Sequence, residues 1–185
     1  MDLLGIASWP DRIEALVDRI GKPLQVGKVI AQCESTQDLA RAMGTGSLVV
    51  AGRQTAGRGQ RGNRWADTGG EGLAFSLALP ATDQPRCSLA LAEALVATLP
   101  PDVHAVVKPP NDVLVDGRKL AGVLVEQRDG LAVIGIGINV LQEEWPDELE
   151  SIAVSLRQVG CSLDRLEVLE YVLPGLVEAW NIYTG

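Results

Sequence analysis

The chain has 185 residues, a formal net charge of −8, 46% hydrophobic residues and 22% charged residues. That balance is globular and excludes disorder, while so acidic a chain lacks the basic footprint on which nucleic-acid binding depends. No apolar run reaches bilayer-spanning length and no secretory segment opens the sequence, which predicts a cytoplasmic protein with neither nucleic-acid nor membrane partners.

The length suits one domain, able to bury roughly 70% of the surface its unfolded chain exposes. Cys33, Cys87 and Cys161 are odd in number and lack CxxC spacing. They are therefore expected as reduced, buried apolar residues, not as a disulfide frame or a zinc site.

Residues 11–20 (DRIEALVDRI) place Ile13, Leu16, Val17 and Ile20 on one helical face, and Gly21 stops the run. A strand is expected at 28–32. Ser35 and Thr36 then stand as N-cap candidates before LARAM, with Asp38 in the capping-box position after Ser35. Ser47–Gln54 (SLVVAGRQ) reads as an apolar strand, 73–79 as another, and 86–99 as a helix ended by Pro100 and Pro101. The period then changes. Residues 105–107, 112–115, 120–126 and 131–138 are strand-like runs, with Asp116-Gly117 and Asp129-Gly130 as hairpin turns. The last forty residues read as helical, with Asp164 as a cap and Pro174 forcing a kink or break. This order predicts an α+β fold, a mixed and largely antiparallel β-sheet backed by α-helices, unlike a doubly wound α/β protein.

Three stretches carry chemistry. In AGRQTAGRGQRGNRW (51–65), Arg53, Arg58, Arg61 and Arg64 alternate with Gly52, Gly57, Gly59 and Gly62 directly after a buried strand. Glycines let backbone N–H groups converge on an anion and guanidinium forks grip phosphate or carboxylate, which favours an anion site over a merely solvated loop. The match to GxGxxG within it is a decoy, because a dinucleotide fingerprint needs a helix to start at the loop and none fits before the next strand. In VKPPNDVLVDGRKLAGVLVE (107–126), Asn111 and Asp112 could join Mg²⁺ to phosphate oxygens or could simply make a turn, and Lys119 could serve an anion or sit as a solvated edge charge. In VIGIGINV (133–140), Gly135 and Gly137 imply close approach by a ligand or another backbone. Asn139 could read an adenine edge or end the strand in an Asx turn. The lone His104 has no nucleophile elbow to serve and is expected on the surface.

Taken in order, Ser35-Thr36 before a helix, Gln54 ahead of AGRGQRGNRW, KPPND, GRKLAGVLVE and GIGIN resemble the catalytic domain of the biotin protein ligases over residues 28–141. The family's fold, shared with lipoate ligases, is a class II synthetase-like mixed sheet backed by helices. The resemblance implies an AMP-forming ligase that activates biotin with ATP and Mg²⁺, without a prosthetic group. It then passes biotin to a lysine on the biotin carboxyl carrier domain of a biotin-dependent carboxylase. It implies one catalytic domain over 1–185, with neither an N-terminal DNA-binding domain nor the usual small C-terminal β-barrel, and leaves a homodimer open. By resemblance, Ser35, Thr36, Gln54, Gly57, Gly59 and Gly122 would line the biotin pocket. Arg58 and Arg61 would fold over the biotin carboxylate and the ATP phosphates. Trp65 would pack near the adenine, Asn111 would join the ATP site and Asn139 would read the adenine edge. Lys119 would reach both carboxylate and α-phosphate, forming the catalytic pair with Arg58, and Asp112 would hold the magnesium. This chain has Pro109 where the family usually has Trp, and Gln60 where many members have Arg. A lipoate or octanoate protein ligase on the same fold, or a non-catalytic biotin- or nucleotide-binding module, are the alternatives.

Overall fold

The structure, a computed structural model, describes residues 5–66 and 68–184. Its strands are β1 (Val26–Cys33), β2 (Ser47–Gln54), β3 (Leu73–Pro80), β4 (Val106–Lys108), β5 (Asp112–Val115), β6 (Arg118–Arg128) and β7 (Leu131–Ile138). They form a sheet ordered β1-β2-β3-β7-β6-β5-β4. β1 runs parallel to β2, while the β2–β3, β4–β5 and β5–β6 pairs are antiparallel. With helices α1 (Trp9–Ile20), α2 (Thr36–Met43), α3 (Cys87–Thr98), α4 (Asp147–Glu150) and α5 (Arg165–Thr184), this is the mixed, largely antiparallel α+β fold the pattern predicts.

The chain divides into two compact units, the first comprising Met1–Gly70, Ala74–Asp83 and Leu124–Ile136, the second Glu71–Leu73, Gln84–Val123 and Gly137–Gly185. In the first, β2 and β3 are buried almost throughout, consistent with their continuous apolar runs. α1 lays Ile13, Leu16 and Val17 inward. It comes so close to β1 that a side chain at Gly27 would run into Ile13. Gly21, at φ 66°, ends α1 by donating its N–H to the Val17 carbonyl. Ala40 of α2 packs on Val49, Ala78 and Val133. Asp129 and Gly130 both take positive φ, 53° and 76°, the geometry of a type I′ hairpin turn and the reason this dipeptide joins β6 to β7.

In the second unit the β5–β6 hairpin turns at Asp116 (φ 50°) and Gly117 (φ 77°) in the same way. α3 stops where Leu99 turns extended before Pro100, as a residue preceding proline must. A side chain at Gly175 of α5 would meet Thr98 of α3, so the two helices touch there.

The C-terminal expectation needs correction. Between 146 and 164 there is only the four-residue α4 and a single 3-10 turn, and the long helix begins at Arg165. Asp164 does cap it, in a reciprocal box: Glu167 N donates to Asp164 Oδ1 at 2.8 Å and Asp164 N donates to Glu167 Oε2 at 2.7 Å. Pro174 does not break α5, which runs on to Thr184. A proline inside a helix costs about 3 kcal/mol, but Leu173, Leu176 and Val177 beside it are buried, each worth about 1.5–3 kcal/mol. The cysteines are all free, yet only Cys87 is buried; Cys33 and Cys161 are partly exposed.

Candidate functional site

In the first unit the register Cys33↔Gln54 of the parallel β1–β2 pair sets the end of β2 beside the start of α2. Ser35 caps α2, its Oγ accepting from Gln37 N at 3.3 Å. Gln54 Oε1 accepts from both Thr36 N (2.7 Å) and Thr36 Oγ1 (3.0 Å). Because Thr36 has one hydroxyl hydrogen and gives it to Gln54, the 2.8 Å contact between Thr36 Oγ1 and Ser76 Oγ has Ser76 as donor. Ser35, Thr36, Gln37, Gln54 and Ser76 are all buried. Such a cluster persists because its members satisfy one another. Gln37 and Ser76 were not foreseen. Ser76, a lone hydroxyl in the apolar run LAFSLALP, was the available signal.

The glycine–arginine loop leaves β2 by continuing its ladder, with Thr55 N donating to Cys33 O and Ala56 N to Glu34 O, both at 2.9 Å. It then folds back on itself. Arg58 and Arg64 form an antiparallel bridge, Gly59 N donates to Asn63 O (2.8 Å) and Trp65 N to Gly57 O (2.9 Å). Only a 3-10 turn at Gln60–Gly62 intervenes, so no helix starts here and the dinucleotide reading stays excluded. A methyl at Gly57 would lie 2.9 Å from Trp65 O and 3.0 Å from Gln54 Nε2. That glycine is needed for close approach.

Arg58 is held by acids. Its Nη1 and Nη2 donate to the two carboxylate oxygens of Asp38, both at 2.8 Å, and Nη2 lies 3.5 Å from Glu126 Oε2. Glu126 in turn pairs with Arg41 at 3.1 Å. Asp38, expected to close a capping box, is diverted to Arg58, and this hydrogen bond above all raises the guanidinium's affinity for its proton. Burial, then the charge of Asp38, pushes the nearby Cys33 thiol up as well. A cavity of about 710 Å³ opens here, lined by the loop from Ala56 to Arg64 together with Glu34, Asp38 and Leu124–Glu126. Gly57, Arg58, Gly59 and Arg61 therefore face one cavity. Ser35, Thr36 and Gln54 do not line it. Gly135, expected to admit a ligand or backbone, instead admits Gln37, whose Cδ lies 2.9 Å from where a Cβ would stand.

In the second unit β5 and β6 pair Asp112↔Gly122 and Leu114↔Lys119, with one extra residue of β6, Leu120, absorbed as a bulge. Bulges re-aim side chains, and here Lys119 Nζ meets Asp112 Oδ1 at 2.6 Å. Asn111 is buried and closes the hairpin from the inside, its Nδ2 donating to Val123 O at 2.9 Å. Asn139, at the end of β7, is buried as well; its Nδ2 donates to Lys119 O (3.0 Å) and Val154 O (3.1 Å). Two carbonyls converging on one atom identify it as the amide nitrogen. His104 is exposed, as expected.

Among the described residues there is no group of three or more His, Cys, Asp and Glu able to hold a metal. A magnesium ion that keeps its waters and phosphate oxygens needs one or two carboxylates, and Asp112 can supply one.

Fold and site together define an α+β domain with an arginine-lined cavity next to a buried polar cluster. The chain belongs to the biotin/lipoate A/B protein ligase family, whose model matches residues 26–142. Its relatives include the bifunctional ligase/repressor BirA of Bacillus spizizenii, 39% identical over 142 residues that cover 69% of this chain and 44% of that protein. The biotin--[acetyl-CoA-carboxylase] ligase of Mycobacterium tuberculosis is 35% identical over 148 residues, 71% of this chain and 55% of that protein. The solved structure of biotin protein ligase from Aquifex aeolicus in complex with biotin and ATP aligns with a TM-score of 0.78 and 31% identity, over 87% of this chain and 72% of that one. The chain spans about half the length of the curated relatives it matches.

Proposed function

We propose that this chain is an ATP-dependent biotin protein ligase. In the first step a biotin carboxylate oxygen attacks the α-phosphorus of ATP, the bond to the β-phosphate breaks, and pyrophosphate leaves. In the second the neutral ε-amine of an acceptor lysine attacks the acyl carbon of biotinyl-5'-AMP, loses a proton, and AMP departs. Neither step needs a side-chain nucleophile; both need anions held in line and charge offset as it develops. Biotin contacts fall to Ser35, Thr36, Gln54, Gly57, Gly59, Gly122, Arg58 and Arg61. Lys119 supplies the cation at the reacting atoms, with Arg58 as the second catalytic cation. Nucleotide contacts fall to Arg58, Arg61, Trp65, Asn111, Lys119 and Asn139, the last through its acceptor oxygen, since both amide hydrogens are taken up by carbonyls. Asp112 would hold Mg²⁺, which offsets phosphate charge when bound. The acceptor is the carrier domain of a biotin-dependent carboxylase, residues 1–185 act as the catalytic domain, and the location is cytoplasmic.

The observation that carries the proposal is the glycine–arginine loop and its cavity in a chain whose solved relative is described with biotin and ATP. Pyrophosphate release on adding biotin plus ATP tests it, with lipoate and octanoate in parallel. Release with biotin alone is expected. Release with lipoate instead would move the chain to the lipoate branch, and biotin binding without release would make it a binding module.

A further inference from the structure

Asn139 sits where three stretches of backbone meet. Its own N–H donates to Leu120 O (2.9 Å), its carbonyl accepts from Leu156 N (3.1 Å), and its side chain binds the carbonyls of Lys119 and Val154. Lys119 is held by the same stretch: its N–H donates to Ile152 O at 2.7 Å, its carbonyl accepts from Val154 N at 3.0 Å, and it bridges to Ala153 as a short parallel strand. No regular element supplies that strand, because 151–156 is irregular chain following α4. Lys119 still pairs with Leu114 beside the bulge at Leu120, but its N–H and carbonyl both face the 152–156 segment, so their partners must come from there.

We propose that Asn139 is a positioning residue for Lys119: by tying the Lys119 carbonyl to the 152–156 segment it fixes the direction in which the ammonium, held by Asp112, is presented. This rests on the reading of Lys119 as the cation at the reacting atoms. A residue acting in this way is recognised by dependence on its target. The nucleotide contact of the Asn139 oxygen would be felt in KM for ATP whether or not Lys119 is present, whereas the positioning role is felt in kcat and vanishes with Lys119.

The test is a double-mutant cycle on pyrophosphate release. Asn139→Ala is expected to lower kcat by about 10- to 100-fold, the scale of a misplacement near 1 Å, a loss separate from any rise in KM for ATP caused by the missing nucleotide contact. At saturating ATP, Asn139→Ala/Lys119→Ala should have a kcat no lower than that of Lys119→Ala. Multiplying effects, or a change confined to KM for ATP, overturn the proposal. Asn139→Ser, which keeps a donor, should recover part of kcat. If both variants are unfolded by far-UV circular dichroism at 25 °C, Asn139 is a stability residue and the proposal fails. A second measurement does not need turnover: the rate of acylation of the Lys119 amine by a small activated ester, followed by peptide mapping. It should rise about severalfold in Asn139→Ala as the Asp112 pair loosens. An unchanged rate overturns the positioning role, while a wild type inert with biotin and ATP refutes only the proposed reaction.

Discussion

Lys119 and Arg58, the two cations given to catalysis, are each gripped by a carboxylate at 2.6 Å and 2.8 Å. The Arg58–Asp38 pair is exposed and the Lys119–Asp112 pair partly so, so each contributes about 1 kcal/mol or less to stability. Their value to the protein lies elsewhere. Lys119→Ala should therefore leave the thermal midpoint nearly unchanged while pyrophosphate release falls on the order of 10²- to 10³-fold. Retention of more than half the activity would reduce Lys119 to an edge charge. Glu71 offers a residue-scale test of the fold itself. Partial desolvation, then the charges of Glu143 and Glu144, raise its carboxyl above the usual range, against the opposing pull of Arg165. A raised carboxyl binds its proton more tightly folded than unfolded. The strain is thus absent below the unfolded value near pH 4 and fully present at neutral pH. Glu71→Gln should raise the melting temperature at pH 7, and the gain should disappear as the pH falls below about 4. A gain that persists in acid would mean that charge is not the cause.

At the scale of elements, periodicity and turn chemistry made most of the fold legible. Ser47–Gln54 and Leu131–Ile138 were readable as apolar runs bounded by breakers, and the two Asp-Gly dipeptides form the hairpin turns they announce. What pattern could not convey was tertiary choice. Asp38 has the spacing of a capping box, but a guanidinium offers it two charge-assisted bonds where the cap offers one. Pro174 carries a local penalty that the burial around it outweighs. In the site, the glycine–arginine loop was legible because its composition is unusual. The Thr36–Gln54–Ser76 chain was only half so, since its third member lies 22 residues beyond the second. Two glycines give the prediction at this scale. Gly57→Ala would press on the Trp65 carbonyl and the Gln54 amide, and Gly135→Ala on buried Gln37. Each should cost about 1–3 kcal/mol by overpacking, and Gly57→Ala should also weaken biotin binding, as read by calorimetric titration. If Gly57→Ala binds biotin as the parent does, the loop's closure onto Gln54 is not part of the site.

For the molecule as a whole, charge is the property that bears most on function. The chain carries −8, yet its proposed ligands, a carboxylate and a nucleotide triphosphate, are themselves anions. No helix among the described residues is long and apolar enough to cross a membrane. Binding must therefore rely on local groups set against an unfavourable overall field. Hydrogen exchange over residues 55–65 should accordingly be faster without ligand and slow when biotin and ATP are added, because the three arginines of that loop repel one another until an anion arrives. Exchange already slow in the free protein would show the internal hydrogen bonds of the loop to be sufficient on their own.

The line of alternating charges from Asp38 through Arg58 and Glu126 to Arg41 has a kinetic consequence. The cavity lining as a whole sets three acids (Glu34, Asp38 and Glu126) against three bases (Arg58, Arg61 and Arg64), so at a distance it presents no net attraction to an approaching anion. Electrostatic steering, which can speed encounters 10- to about 10³-fold and fades with added salt, is then missing from the mouth of the cavity. An ATP molecule meets the repulsion of the whole chain first; the exposed Arg61 and Arg64 of the cavity lining meet it at short range, and it reaches Arg58 by exchanging places with Asp38. Raising ionic strength from about 50 mM to about 500 mM shortens the screening length severalfold. In stopped-flow mixing the association rate should stay level or rise over that range, and a steep fall would reveal a positive funnel that these pairings do not leave.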